Sequence, residues 1–134
     1  MSSTIVAVDN EHARVCFHAA TRIVHHEFKQ FIHGERLRAA LTAGAELLEQ
    51  HRATKWLSDD RKNGALPGAD GEWARTVWYP RVLRAGWKHW AVVLPENVVG
   101  QMNLRRFVED YRKDGLDVAV FVDPDEAMRW LAGA

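Results

Sequence analysis

The chain has 134 residues, with 18 Lys and Arg against 18 Asp and Glu and a formal net charge of zero. One domain accounts for that length, residues 1–134 without a linker, and the charge balance removes the electrostatic case for nucleic acid or an anionic membrane as partner. Hydrophobic residues at 47% and charged residues at 27% are a globular mix, and the single cysteine, Cys16, excludes an intrachain disulfide and suits a reducing cytoplasm.

The first third reads as strands. Thr4 to Val8 is a short β-rich run closed by the turn signal Asp9-Asn10-Glu11. Ala13 to His18 alternates apolar Val15 and Phe17 with Arg14, Cys16 and His18, and Arg22 to Gln30 follows across a short connection, which predicts a hairpin. From Glu35 the period changes to that of a helix: Leu37, Leu41, Ala45 and Leu48 share one face, and the helix runs to His51 after an entry at Gly34. Lys55 to Asp59 reads as a buried strand, and Arg61 to Ala69, with Gly64, Pro67 and Gly68, as the clearest loop.

Asp70 to Ala85 is predicted as the second helix, with Asp70 as N-cap and an inward face built from Trp73, Val77, Trp78, Val82 and Leu83. Pro80 removes a hydrogen bond inside this segment, so a kink or break is expected there. His89 to Leu94 is the next strand. Asn103 is read as the cap of a third helix carrying Leu104, Phe107, Val108 and Tyr111, with Gly115 at its end. Asp117 to Val122 is the last strand, and Asp123-Pro124-Asp125-Glu126 is a strong helix-start signature for a final helix facing inward through Ala127, Trp130 and Leu131. The order β-β-β-α-β-α-β-α-β-α predicts an α/β domain. Its mixed sheet has a parallel core and antiparallel N-terminal strands, with about four helices covering both faces. No basic stretch followed by an apolar run opens the chain, and the longest apolar runs are five residues, so neither a signal peptide nor a transmembrane segment is expected.

Several stretches carry a family resemblance. They are Lys55-Trp56-Leu57-Ser58-Asp59-Asp60-Arg61, Glu72-Trp73, Tyr79-Pro80-Arg81, Gly86-Trp87-Lys88, Ala91-Val92-Val93-Leu94-Pro95-Glu96, Gly100-Gln101-Met102-Asn103 and Glu126-Ala127-Met128-Arg129-Trp130-Leu131. In this order and spacing, over nearly the whole chain, they resemble the STAS-like, anti-sigma-factor-antagonist-like (SpoIIAA-like) family of small bacterial proteins. The resemblance implies a STAS-type α/β sandwich that works by binding a partner. In the antagonists proper, a Ser or Thr at the start of the helix after a central strand is phosphorylated as a switch. No Ser or Thr lies between Asp59 and Arg75; Ser58 falls inside the strand and Thr76 well into the helix, so the switch position is not matched.

The residues offer three candidate constellations. Asp59, Asp60, Glu96, Asp123 and Asp125 follow strand ends, where α/β sheets place ligands for a hard cation such as Mg²⁺, although helix capping by Asp123 and solvation of loop carboxylates explain them better. Five of seven histidines lie in the first third, but His25 and His26 are consecutive in a strand and cannot ligate one ion, so surface or edge-strand positions are expected and no metal or other cofactor is assigned. Six tryptophans are a heavy load; core packing explains them first, an apolar pocket second, and Trp87 has a further reading as an exposed partner contact. Cys16 is expected on a partly wet face. The sequence thus reads as a non-enzymatic regulatory or protein-interaction module of the bacterial cytoplasm, binding a protein partner or itself through the loop from Asp60 to Gly71. Its alternative is a small apolar ligand or lipid binder with a Trp-rich pocket. The binding residues chosen on this basis are Asp59, Asp60, Arg61, Trp73, Trp78 and Arg81.

Overall fold

A computed structural model describes residues 3–134. Six strands, β1 (Thr4–Asp9), β2 (Ala13–His18), β3 (Ile23–Phe28), β4 (Lys55–Asp59), β5 (His89–Val93) and β6 (Asp117–Phe121), form one sheet in sequential order. β1 to β3 are antiparallel, and β3 to β6 run parallel. The fold is therefore the α/β mixed sheet read from the sequence.

The helices are α1 (Gly34–His51), α2 (Gly68–Trp73), α3 (Tyr79–Ala85), α4 (Val98–Lys113) and α5 (Pro124–Ala132), with a π-helical turn over Ala74–Trp78 joining α2 to α3. The segment 68–85 is thus one helical run, which gives four in all. Alternation divides the sheet's side chains between two cores. Val15, Phe17, Val24, Trp56, Trp90, Val92 and Val118 meet α1, α3 and α4 in the larger one. Ile23, Leu57, Ala91 and Val93 meet Ala127 and Leu131 of α5 in the smaller, with Phe121, Met128 and Trp130 packed against them. Both faces do carry helix, but unequally. Crossovers between sequential parallel strands all return on one side, and α5, which follows the last strand, covers β4 to β6 on the other.

Several local expectations change. Asp70 does not cap its helix: Pro67 occupies that position, and the Asp70 carboxylate accepts from the Gly34 N–H at 2.9 Å and pairs with Arg38. The break expected at Pro80 takes the form of the π-helical turn just before it. Its extra residue shifts the helix phase, so Ala74, Trp78, Tyr79 and Val82 are buried while Val77 and Leu83 turn outward. α4 begins at Val98, capped by Asn97, whose side chain accepts from the Gly100 N–H; Asn103 lies inside it. Trp87 is buried in the core and Cys16 is buried as well, so neither is wet.

Candidate functional site

At the carboxyl end of β4 the chain leaves the sheet and residues 60–67 fold back over the helix side. This loop is fastened rather than free. Asp60 N–H donates to the Val93 carbonyl at 3.1 Å, the buried Asn63 side chain accepts from Ile32 N–H at 3.0 Å, and Leu66 N–H donates to the Asn103 side chain at 3.1 Å. Beneath it lies a cavity of about 70 Å³. Phe28, Trp78, Trp90, Phe107 and Tyr111 supply its aromatic wall, and His26, Ser58, Asp60, Asn63 and Asn103 its polar edge.

The polar edge is ordered by the parallel register, which sets Val24 and His26 of β3 beside Trp56 and Ser58 of β4. Trp56 Nε1–H donates to His26 Nδ1 at 3.0 Å, and an indole can only donate. Nδ1 is then an acceptor, and the ring hydrogen on Nε2 donates to Asp60 Oδ1 at 2.8 Å. Trp90 Nε1–H donates to Ser58 Oγ at 2.8 Å. Among the described residues nothing accepts the Ser58 hydroxyl hydrogen or bonds the second Asp60 oxygen. The Asn63 and Asn103 carbonyl oxygens are occupied, and their NH₂ groups have no acceptor among the same residues. Ser58, Asp60, Asn63 and Asn103 thus bring uncommitted polar atoms to the edge of an otherwise apolar cavity.

The residues chosen from sequence divide. Asp60 and Trp78 line this cavity, with Trp78 Nε1–H held by the Leu41 carbonyl at 2.9 Å. Asp59, one residue from Asp60, points to the opposite face and is clasped by Arg61 through Nε at 2.9 Å and Nη2 at 2.8 Å. Trp73 lies under the Arg38 guanidinium, and Arg81 makes a two-pronged pair with Glu49 of α1. Neither lines the cavity. The carboxylates do not converge: Glu96 pairs with Lys62, and Asp123 caps α5. Sequence reasoning missed His26, Ser58, Asn63 and Asn103, whose partners lie about thirty or more residues away in the chain.

On the other face, Cys16, His18 and His25 come together on the β2–β3 hairpin. Burial lowers the basicity of His18, helped by Arg14, and holds His25 down at about 4, helped by the positive charge that His18 and His26 would carry. Burial likewise raises the Cys16 thiol pKa. At neutral pH the imidazoles are therefore uncharged. His25 and His26 do point to opposite faces, as consecutive strand residues must.

Comparison with protein-family models, with curated proteins and with solved structures finds no match to this chain. No helix among the described residues is long and apolar enough to cross a membrane.

Proposed function

We propose that the protein is a non-enzymatic binding module whose cavity beneath residues 60–67 takes a compact, largely apolar molecule bearing one alcohol or amide group. The observation that carries this reading is the pairing of an aromatic wall with uncommitted polar groups at one edge. A hydroxyl or amide N–H would reach the free Asp60 oxygen, and its oxygen would accept from Ser58, Asn63 or Asn103. An anion would face the Asp60 carboxylate at close range, so carboxylate ligands such as fatty acids are disfavoured.

Size narrows the class further. A cavity of ~150 Å³ holds benzene, so 70 Å³ holds roughly three non-hydrogen atoms. A larger molecule, any amide with an apolar portion included, would project from this space toward solvent. His26 has both ring nitrogens already bonded, which leaves it no free nitrogen for general-base work and favours a binding role for this site.

The STAS-like motif resemblance and the single thiol support a regulatory domain of a bacterial cytoplasm, with a protein partner or a second copy reading the occupied state. A protein-contact reading has its own observation. Val98, Val99 and Met102 on the first turns of α4, and Val122 after β6, are exposed at the carboxyl end of the sheet. Val98→Asp and Val99→Asp are expected to abolish partner capture or self-association while leaving ligand binding intact; capture that survives both contradicts this second reading.

The ligand reading is tested by thermal-shift and tryptophan-fluorescence titration with short aliphatic alcohols, amides and the matching carboxylates. Alcohols or amides should raise the melting temperature and alter the Trp78 and Trp90 emission, and Asp60→Asn should weaken binding about tenfold, the loss of one hydrogen bond to a charged group. No response to any of the neutral compounds, or a preference for carboxylates, contradicts it.

A further inference from the structure

On the sheet face that carries α5, the part formed by β2 and β3 holds a second group of chemically able side chains. Cys16 and His25 are direct cross-strand partners in the β2–β3 hairpin, and His18 follows Cys16 by two positions on the same face. Antiparallel pairing therefore fixes all three by backbone register. Cys16 Sγ lies 3.6 Å from His18 Nε2, His18 Nε2 lies 3.0 Å from His25 Nδ1, and the three atoms all fall within 4.8 Å of one another.

We propose that Cys16, His18 and His25 form a three-ligand site for a zinc-class divalent ion. A tetrahedral ion with Zn–S near 2.3 Å and Zn–N near 2.0–2.1 Å places its sulfur and nitrogen ligands about 3.5 Å apart and its two nitrogens about 3.3 Å apart. The Cys16–His18 and His18–His25 separations approach these values, and with all three atoms within 4.8 Å of one another, small side-chain adjustments admit the ion. One thiolate with two imidazoles is a borderline-soft donor set, which favours Zn²⁺ or Co²⁺ over Mg²⁺ or Ca²⁺.

The surroundings support two of the three ligands, while His25 Nε2, turned away from the cluster, is buried without a partner among the described residues. Thr4 Oγ1 lies 3.4 Å from His18 Nδ1, the nitrogen turned away from the cluster, which orients that ring as outer partners of metal-bound histidines do. Arg14 donates to Cys16 Sγ at 3.7 Å and is itself 3.8 Å from Asp9, so its charge is partly answered and an N–H···S contact to the sulfur is in place. Binding converts the Cys16 S–H to a thiolate with release of its proton to solvent, and the fourth coordination position is left to water. This site is separate from the cavity, which lies on the other face, so the two proposals stand or fall independently.

Titration of tag-free, reduced protein with Co²⁺ tests the assignment. The expected result is uptake of one ion per chain, with a thiolate-to-cobalt charge-transfer band in the near ultraviolet, tetrahedral visible bands and displacement by Zn²⁺. Cys16→Ser should abolish the charge-transfer band, and His18→Gln and His25→Gln should each weaken binding a hundredfold or more. His12→Gln, outside the cluster, should leave it unchanged. Near-ultraviolet circular dichroism of the tryptophan core checks that each variant is folded, and any variant that unfolds is replaced by Cys16→Ala or His18→Asn at the same positions. Absence of uptake at 100-fold excess Co²⁺, uptake without the thiolate band, or uptake that persists in the Cys16 variant overturns the proposal.

Discussion

His26 and the two tyrosines show how single residues take their properties from neighbours far away in sequence. His26 is stacked on Phe28 and bonded at both nitrogens, so its tautomer is set by the Trp56 indole and its direction by Asp60. Tyr79 and Tyr111, the only tyrosines in the chain, stack face to face with ring centres 3.7 Å apart. Burial raises the pKa of both hydroxyls well above the ordinary value of 10, and for Tyr79 the bond to Asp114 adds to it. In the unfolded chain both ionise near 10, so above that pH the unfolded state holds fewer protons and stability falls as pH rises. Spectrophotometric titration should therefore show no tyrosinate until the protein unfolds, and then both groups together. A tyrosinate step near pH 10 in the folded protein contradicts this.

Among the elements, α1 shows why propensity alone misleads. Gly44 lies in its buried face, where a Cβ would come within 2.2 Å of Trp56 Cη2 and 2.6 Å of Cζ2. In an open helix Gly44→Ala would gain about 1 kcal/mol; here it forces an indole that is completely buried, and overpacking of that kind costs about 1–3 kcal/mol. Urea unfolding should show a net loss of up to about 2 kcal/mol, and a gain contradicts the packing described.

Elements with strong local signals were legible in the sequence: the hairpin strands, the stripe of α1, and the Asp-Pro-Asp-Glu start of α5 all fall where their residues point. The start of α4 was not, because Val98-Val99-Gly100 carries poor helix formers and its cap, Asn97, sits before them rather than before the apolar stripe. The helix around Pro80 was half legible. A break follows from the missing N–H, but nothing local tells that the irregularity becomes a π-helical turn and that Val77 is thereby rotated outward.

At the scale of the whole molecule, strand order decides what the sites are. Sequential pairing sets β4 between β3 and β5, and only that order brings His26 to Asp60, and Trp90 to Ser58, around one cavity. Asp60 and Trp78 could be picked out from the loop and the aromatic load. Their neighbours could not, because contacts across thirty residues depend on which strands adjoin. Likewise the Cys16–His18–His25 group follows from hairpin register, whereas a search among consecutive histidines looks on opposite faces of the sheet.

Native mass spectrometry of the gently purified, tag-free protein reports directly on occupancy of the cavity beneath residues 60–67. Ala74 lines the cavity, and Ala74→Leu fills it with an isobutyl group. The account predicts that the wild-type protein carries, or takes up from a pool of small alcohols and amides, one added mass of a compact organic molecule, and that Ala74→Leu, folded by circular dichroism, carries none. A bare wild-type mass throughout, or equal adducts on both proteins, contradicts it.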